Sequence, residues 1–138
     1  MKIDEIENGY VLDHISAGTG VKVFYALGLD KLSCQVAIIQ NAKSVKLGTK
    51  DIIKINELID LDFDVLGFID SGITVNRIEN SVASKKKLNM PQRIKGIAKC
   101  SNPRCITNVE DNVPYEFVLT DNKGTYRCLY CETKVNRL

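Results

Sequence analysis

Two cysteine pairs near the C-terminus constrain this chain more than any other feature. Cys100 and Cys105 form Cys-x4-Cys, Cys128 and Cys131 form Cys-x2-Cys, and twenty-two residues separate the pairs. Each pair can come from one tight turn, and two such turns can gather four thiolates around one ion with no position left open. A closed site of this kind builds structure and does not hydrolyse substrates. Thiolate-rich tetrahedral coordination points to Zn2+ first and iron second, with disulfides as the remaining reading.

The chain has 138 residues, enough for one ordinary domain or two small ones. A cysteine-bearing segment of roughly forty residues buries too little surface to fold alone, so a metal is its expected staple. Residues before it need no such help. We therefore expect a first domain over residues 1–92 and a second over 93–138, with Lys85 to Pro91 as a charged, aperiodic hinge. No apolar run reaches membrane-spanning length, and the start at Met1 lacks the apolar stretch of a signal peptide. The expected compartment is the reducing cytoplasm, where four thiols meet a metal sooner than each other.

Residues 1–92 carry eleven Lys or Arg against twelve Asp or Glu, and residues 93–138 carry eight against five. Neither part has the basic excess that sequence-independent nucleic-acid binding draws on. The one dense run, Lys85-Lys86-Lys87, reads on residue type as a solvated face, with phosphate binding as the sharper alternative.

Tyr10 to Ile15 predicts a strand, followed by a helix capped at Ser16 or Thr19 and ended at Gly28. Cys34 to Ile39 predicts the next strand, Asn41 to Gly48 a turn, and Ile52 to Ile55 a third strand. A short helix is expected between Asp60 and Phe68, capped by Asp60 or Asp62, and another strand over Ile73 to Ile78, with weak alternation past Val82. The fold class is α+β, a βαββαβ-type sheet with both helices on one face. Beyond it, Tyr115 to Thr120 alternates, and Asp121 to Gly124 turns into Thr125 to Cys128. This predicts a small all-β domain of zinc-ribbon or rubredoxin-like form.

Other features read as structure. Cys34 lies in an apolar strand as a small hydrophobe. His14, the lone histidine, leaves no basis for a hydrolytic triad. Gly18-Thr19-Gly20 lacks both the third glycine of a dinucleotide fingerprint and the lysine of a P-loop, so it reads as a turn. Asp60, Asp62, Asp64 and Asp70 look like caps and surface charge, with no partner that would separate their pKa values. The chain is not expected to be an enzyme.

Five blocks then fall in order: Gly9 to Ile15, Lys50 to Ile55, Thr74 to Asn80, Pro91 to Ile94, and the four cysteines. Together they resemble the regulatory chain of aspartate carbamoyltransferase along nearly the whole sequence. The resemblance implies a non-catalytic subunit with one structural Zn2+ per chain held by Cys100, Cys105, Cys128 and Cys131. It implies a first domain that pairs with a second copy and binds nucleoside triphosphates. In the family, the cytidine and uridine triphosphates (CTP, UTP) inhibit and adenosine triphosphate (ATP) activates. The zinc domain is expected to dock on the catalytic chain that makes carbamoyl aspartate in pyrimidine synthesis.

By motif position Val11, Asp13, His14 and Lys54 match the family's nucleotide site, together with one lysine of the 85–87 run; counting from Asn80 selects Lys86. Asp13 and His14 would face opposite sides of a regular strand, which is a complication for that site. The chain departs from the family pattern between Asn80 and Pro91, which is one residue shorter, at Ser81, where the pattern has tyrosine, and before Ile6, where it is shorter. Two rivals remain. One is a zinc-ribbon module that binds nucleic acid through Lys85 to Lys87, Arg93, Lys95 and Lys99, and the other is an electron carrier with iron at the four thiolates.

Overall fold

The computed structural model describes residues 6–135, so the short start before Ile6 lies outside the described residues. The chain divides into two compact units, residues 1–88 and 89–138. In the first, β1 (Gly9–Ser16), α1 (Gly20–Ala26), β2 (Val36–Ser44), β3 (Gly48–Ile55), α2 (Phe63–Ile69), β4 (Thr74–Glu79) and β5 (Val82–Lys87) follow in chain order. The strands form a five-stranded sheet in the order β2-β3-β1-β4-β5, and every pairing is antiparallel.

Alternation along β1 decides which face is covered. Tyr10 and Leu12 are buried while Val11 and Asp13 are only partly so. Leu12 stands opposite Ile53 on one side and Val75 on the other, and all three are fully buried. Val23 of α1 and Leu66 of α2 join them in a single core, so both helices cover the same face. Each such side chain contributes about 1.5–3 kcal/mol of burial. Helix α2 begins where Asp62 accepts from the backbone N–H groups of Asp64 and Val65, as one of the two expected caps.

The structure departs from the sequence expectation in several places, and β2 begins at Val36, so Cys34 precedes the strand instead of lying in it. The segment from Asn41 is not a long turn: β2 runs on to Ser44, and a register shift between Ile39 and Ala42 lets Asn41 take a left-handed φ of 58°. The supposed hinge at Lys85 to Lys87 is instead the end of β5. That strand forms because Asn80 and Ser81, with φ of 51° and 65°, make the two-residue turn that matches strand twist, after which Glu79 pairs with Val82. The second unit also holds a short helix, α3 (Ile106–Val109), beside β6 (Arg93–Lys95), β7 (Glu116–Leu119) and β8 (Tyr126–Cys128).

Gly18 and Gly20 do not cradle an anion from outside. Both give their backbone N–H to Asp51 Oδ2, at 3.0 and 2.9 Å, and Asn41 N–H reaches Asp51 Oδ1 at 3.1 Å. Asp51 is fully buried, so this carboxylate pins the loop before α1 and the irregularity in β2 to β3. A Cβ on Gly20 would meet Asp51 Oδ2 at 2.9 Å, which explains the glycine. Asp51→Ala removes the acceptor of three backbone N–H groups, of which that of Gly20 is buried, and leaving this one unsatisfied costs about 1–3 kcal/mol out of a total of about 5–15 kcal/mol for a domain. We expect the first unit to lose at least about 2 kcal/mol in urea unfolding followed by far-UV circular dichroism. A loss under about 1 kcal/mol would show that the network carries no stability.

In the second unit β7 lies between β6 and β8. Ile94, Phe117, Tyr126 and Val135 are buried together with three of the cysteines, a small core for fifty residues. The Tyr126 hydroxyl donates to the Pro91 carbonyl at 2.6 Å, which anchors the start of the unit. At the β7–β8 turn, the Thr125 hydroxyl and the backbone N–H groups of Thr125 and Lys123 hold the Asp121 carboxyl down at about 2.

Candidate metal centre and effector face

The sulfurs of Cys100, Cys105, Cys128 and Cys131 all lie within 4.8 Å of one another. Cys100 and Cys131 approach to 3.6 Å, as do Cys105 and Cys128. Four ligands at a Zn–S distance of about 2.3 Å, set tetrahedrally, stand about 3.8 Å apart, so the spacing fits one zinc ion. A disulfide requires about 2.05 Å, and all five cysteines are free. The donor set fits zinc chemically as well, with four soft sulfurs and no vacant position.

Local folding builds each half of the cluster. Cys105 N–H closes a turn on the Asn102 carbonyl at 3.0 Å. The Asn108 side chain of α3 donates to the carbonyls of Cys100 and Asn102, at 3.0 and 2.7 Å, and receives the Tyr115 hydroxyl at 2.7 Å. In the other half, Glu132 N–H returns to the Cys128 carbonyl at 3.0 Å through a left-handed Glu132 with φ of 63°. Three of the thiols sit in unequal surroundings. Burial pushes Cys100 up to about 12 and raises Cys128, while the hydroxyl and N–H of Thr133 draw Cys131 down to about 6.

The second constellation lies on the sheet face opposite the helices. Lys54 of β3 stands directly across from Val11 of β1, Val11 from Asn76 of β4, and Asn76 from Lys85 of β5. Residues paired in this way share a face, so the row Lys54, Val11, Asn76, Lys85 crosses four strands. Asn76 is fixed by a hydrogen bond to the Val11 carbonyl at 3.4 Å. The next row brings Asp13 opposite Thr74 and Thr74 opposite Lys87.

The conflict between Asp13 and His14 is removed by a bulge. The β1–β3 register shifts between Leu12 and Ile15, and His14 takes φ of 59°. An extra residue in one strand re-aims its side chain. The His14 Nδ1 thus reaches the Thr74 hydroxyl at 3.1 Å, although Thr74 pairs with Asp13. Lys50 Nζ lies 2.9 Å from Asp13 Oδ1. Burial raises the Asp13 carboxyl, but hydrogen bonds from Lys50 and from the His14 N–H outweigh it and leave the group below its usual range.

Lys86 is not brought to this face. It pairs with Val75, which faces the core, and its Nζ lies 4.0 Å over the Phe63 ring of α2. Lys85, one residue earlier, stands on the face of Lys54 and Val11 because the strand alternates. Lys50, Asn76 and Lys85 were not singled out individually in the sequence; the position of Asn76 two residues from Thr74, on the same side of an alternating strand, is the one signal that could have found it. The basic residues of the nucleic-acid reading are partly engaged: Lys86 rests on Phe63, and Arg93 pairs with Glu116 at 3.5 Å. Among the described residues, no helix is long and apolar enough to cross a membrane.

Comparison with known proteins gives two consecutive matches. Residues 1–89 match the family described as aspartate carbamoyltransferase regulatory chain, allosteric domain, and residues 92–138 match the metal binding domain of the same regulatory chain. Among curated relatives, the aspartate carbamoyltransferase regulatory chain of Clostridium botulinum strain Hall is 51% identical over 96% of this chain and 92% of the relative. That of Clostridium acetobutylicum is 48% identical over the same shares. The one from Bifidobacterium longum is 40% identical over 96% of both chains.

Proposed function

This chain belongs to the aspartate carbamoyltransferase regulatory chain family, and from that premise we propose how its two units divide the work. The chain is a regulatory and not a catalytic subunit, and its four-cysteine cluster accounts for one structural zinc. Residues 1–88 bind nucleoside triphosphates and pair with a second copy. Residues 89–138, closed around zinc on Cys100, Cys105, Cys128 and Cys131, dock on a catalytic chain. The assembly works in the cytoplasm, in pyrimidine biosynthesis.

The observation that carries the effector reading is the row from Lys54 through Val11 and Asn76 to Lys85. Compact ammonium groups from two distant strands suit the charges of a polyphosphate. Val11 between them offers apolar surface, and Asp13 and His14 are polar groups for sugar or base. Lys85 takes the place that counting gave to Lys86. Docking by the metal unit is supported by exposed apolar side chains on elements that carry its cysteines: Ile106 and Val109 follow Cys105, and Leu129 and Tyr130 lie between Cys128 and Cys131. Apolar groups gathered on a small unit mark an interaction surface.

Pairing with a second copy is supported by an asymmetry between the sheet edges. Edge strand β5 carries three lysines, a common guard against further pairing. Edge strand β2, Val36–Ser44, has one lysine among nine residues and runs into exposed Val45 and Leu47. Regulation further requires that the nucleotide bind differently to two states of the assembly, since equal affinity shifts nothing. The test is co-purification with the cell's own catalytic chain, followed by aspartate saturation curves of the complex with CTP, UTP and ATP. A stoichiometric complex with shifted curves is expected. Failure to assemble overturns the whole reading, and assembly without any shift overturns the effector role alone.

A further inference from the structure

We infer that the hydroxyls of Thr107 and Thr133 are positioning groups for the metal centre, each donating to one of the ligand sulfurs. The inference rests on the reading that the four cysteines hold zinc. Four thiolates around a divalent ion leave a net charge of about −2, and in a unit this small that charge must be met by hydrogen-bond donors.

Thr107 Oγ1 lies 3.0 Å from Cys105 Sγ, and Thr133 Oγ1 lies 3.2 Å from Cys131 Sγ. As a free thiol Cys131 donates to Thr133 Oγ1, but a metal-bound sulfur carries no proton, so with metal held there the hydroxyl would be the donor in both pairs. The two contacts are related by sequence. Each threonine stands two residues after the second cysteine of its pair, as Cys105-Ile106-Thr107 and Cys131-Glu132-Thr133. The first cysteines are served differently: the Asn102 backbone N–H reaches Cys100, and the N–H groups of Tyr130 and Cys131 reach Cys128.

Thr107 is the more telling of the two. Its exposure is 5%, and it is the one buried polar residue outside the cysteines in the second unit among the described residues. A buried hydroxyl is costly unless paired, and here the partner is a ligand sulfur. The bond holds Cys105 in place and withdraws electron density from its sulfur, which makes it less reactive toward electrophiles. Thr133 does the same for Cys131, which is only half-buried.

The experiment compares the full-length chain with Thr107→Val, Thr107→Ser and Thr133→Val, each loaded with Co2+ in place of zinc. Valine keeps the volume and removes the hydroxyl; serine keeps the hydroxyl. We expect unmodified chain and Thr107→Ser to share a tetrathiolate cobalt spectrum. Each valine variant should show its sulfur-to-cobalt charge-transfer band moved to longer wavelength, with Co2+ and Zn2+ affinity reduced about 10- to 100-fold. An unmoved band in both valine variants overturns the inference whatever the affinity does, because a cavity or a fold defect weakens binding without changing the sulfur. Serine behaving like valine overturns it for Thr107. If Thr107→Val does not fold, the half-buried Thr133→Val decides by the same band. Failure of the unmodified chain to bind cobalt through sulfur would instead overturn the metal reading itself.

Discussion

Chelation of the metal is expected to unfold residues 89–138 and leave residues 1–88 folded. The second unit buries Ile94, Phe117, Tyr126 and Val135 with three cysteines, too little for independent stability. Metal binding to such a unit is worth on the order of 10 kcal/mol or more at neutral pH, and that free energy is folding free energy. In the metal-free chain the buried Cys100 and Cys128 hold their protons more tightly than usual, so a thiol core remains but nothing draws it together. The first unit has its own core around Leu12, Ile53, Leu66 and Val75. Amide spectra before and after chelator should lose dispersion only for the second unit. Elution with purified catalytic chains should then show the regulatory chain released, and Cys128→Ser should behave alike. A well-folded metal-free second unit that still co-elutes would overturn both the staple and the docking assignment.

The second large effect concerns the lysines. Lys54→Ala and Lys85→Ala should each weaken nucleoside triphosphate binding about 10- to 100-fold, the loss of one charge-assisted contact of about 1.5–3 kcal/mol. Lys86→Ala should change binding less than about threefold and cost the first unit about 0.5–1 kcal/mol of cation–π stabilisation on Phe63. Isothermal titration of the assembled complex with CTP, UTP and ATP separates these cases. If Lys86→Ala weakens binding as strongly as Lys54→Ala while Lys85→Ala does nothing, the row across the sheet is not the nucleotide face.

The choice between Lys85 and Lys86 shows where sequence reading stops. Between Asn80 and Pro91 the chain is one residue shorter than the family pattern, and a count from one end cannot tell where the shortening falls. The strand period is two, so an error of one residue moves a side chain to the other face. The hydrogen-bond register puts Lys85 beside Asn76 and Lys86 beside Val75, so it is Lys85 that shares the face of Lys54 and Val11. Asp13 and His14 pose the same kind of problem. Regular alternation sends them apart, and a bulge that leaves no mark in composition brings His14 to Thr74.

By itself the sequence determined the features that depend on local chemistry and fixed spacing. Four cysteines in two short-spaced pairs pointed to a shared ligand, and β-branched alternation with two interspersed helices pointed to a sheet covered on one side, although α1 takes no side-chain cap from Thr19. Asp62 before α2 and the turn at Asp121 follow from single residues with one inexpensive conformation. Tertiary structure decided what depends on partners far along the chain. Asp51 became a buried acceptor for Gly18, Gly20 and Asn41, and β5 claimed the lysines that composition had assigned to a hinge. The physical reason is that a backbone N–H or a strand edge is satisfied by whatever the fold brings to it, and that geometry is a property of the assembled sheet, not of any local stretch of residues.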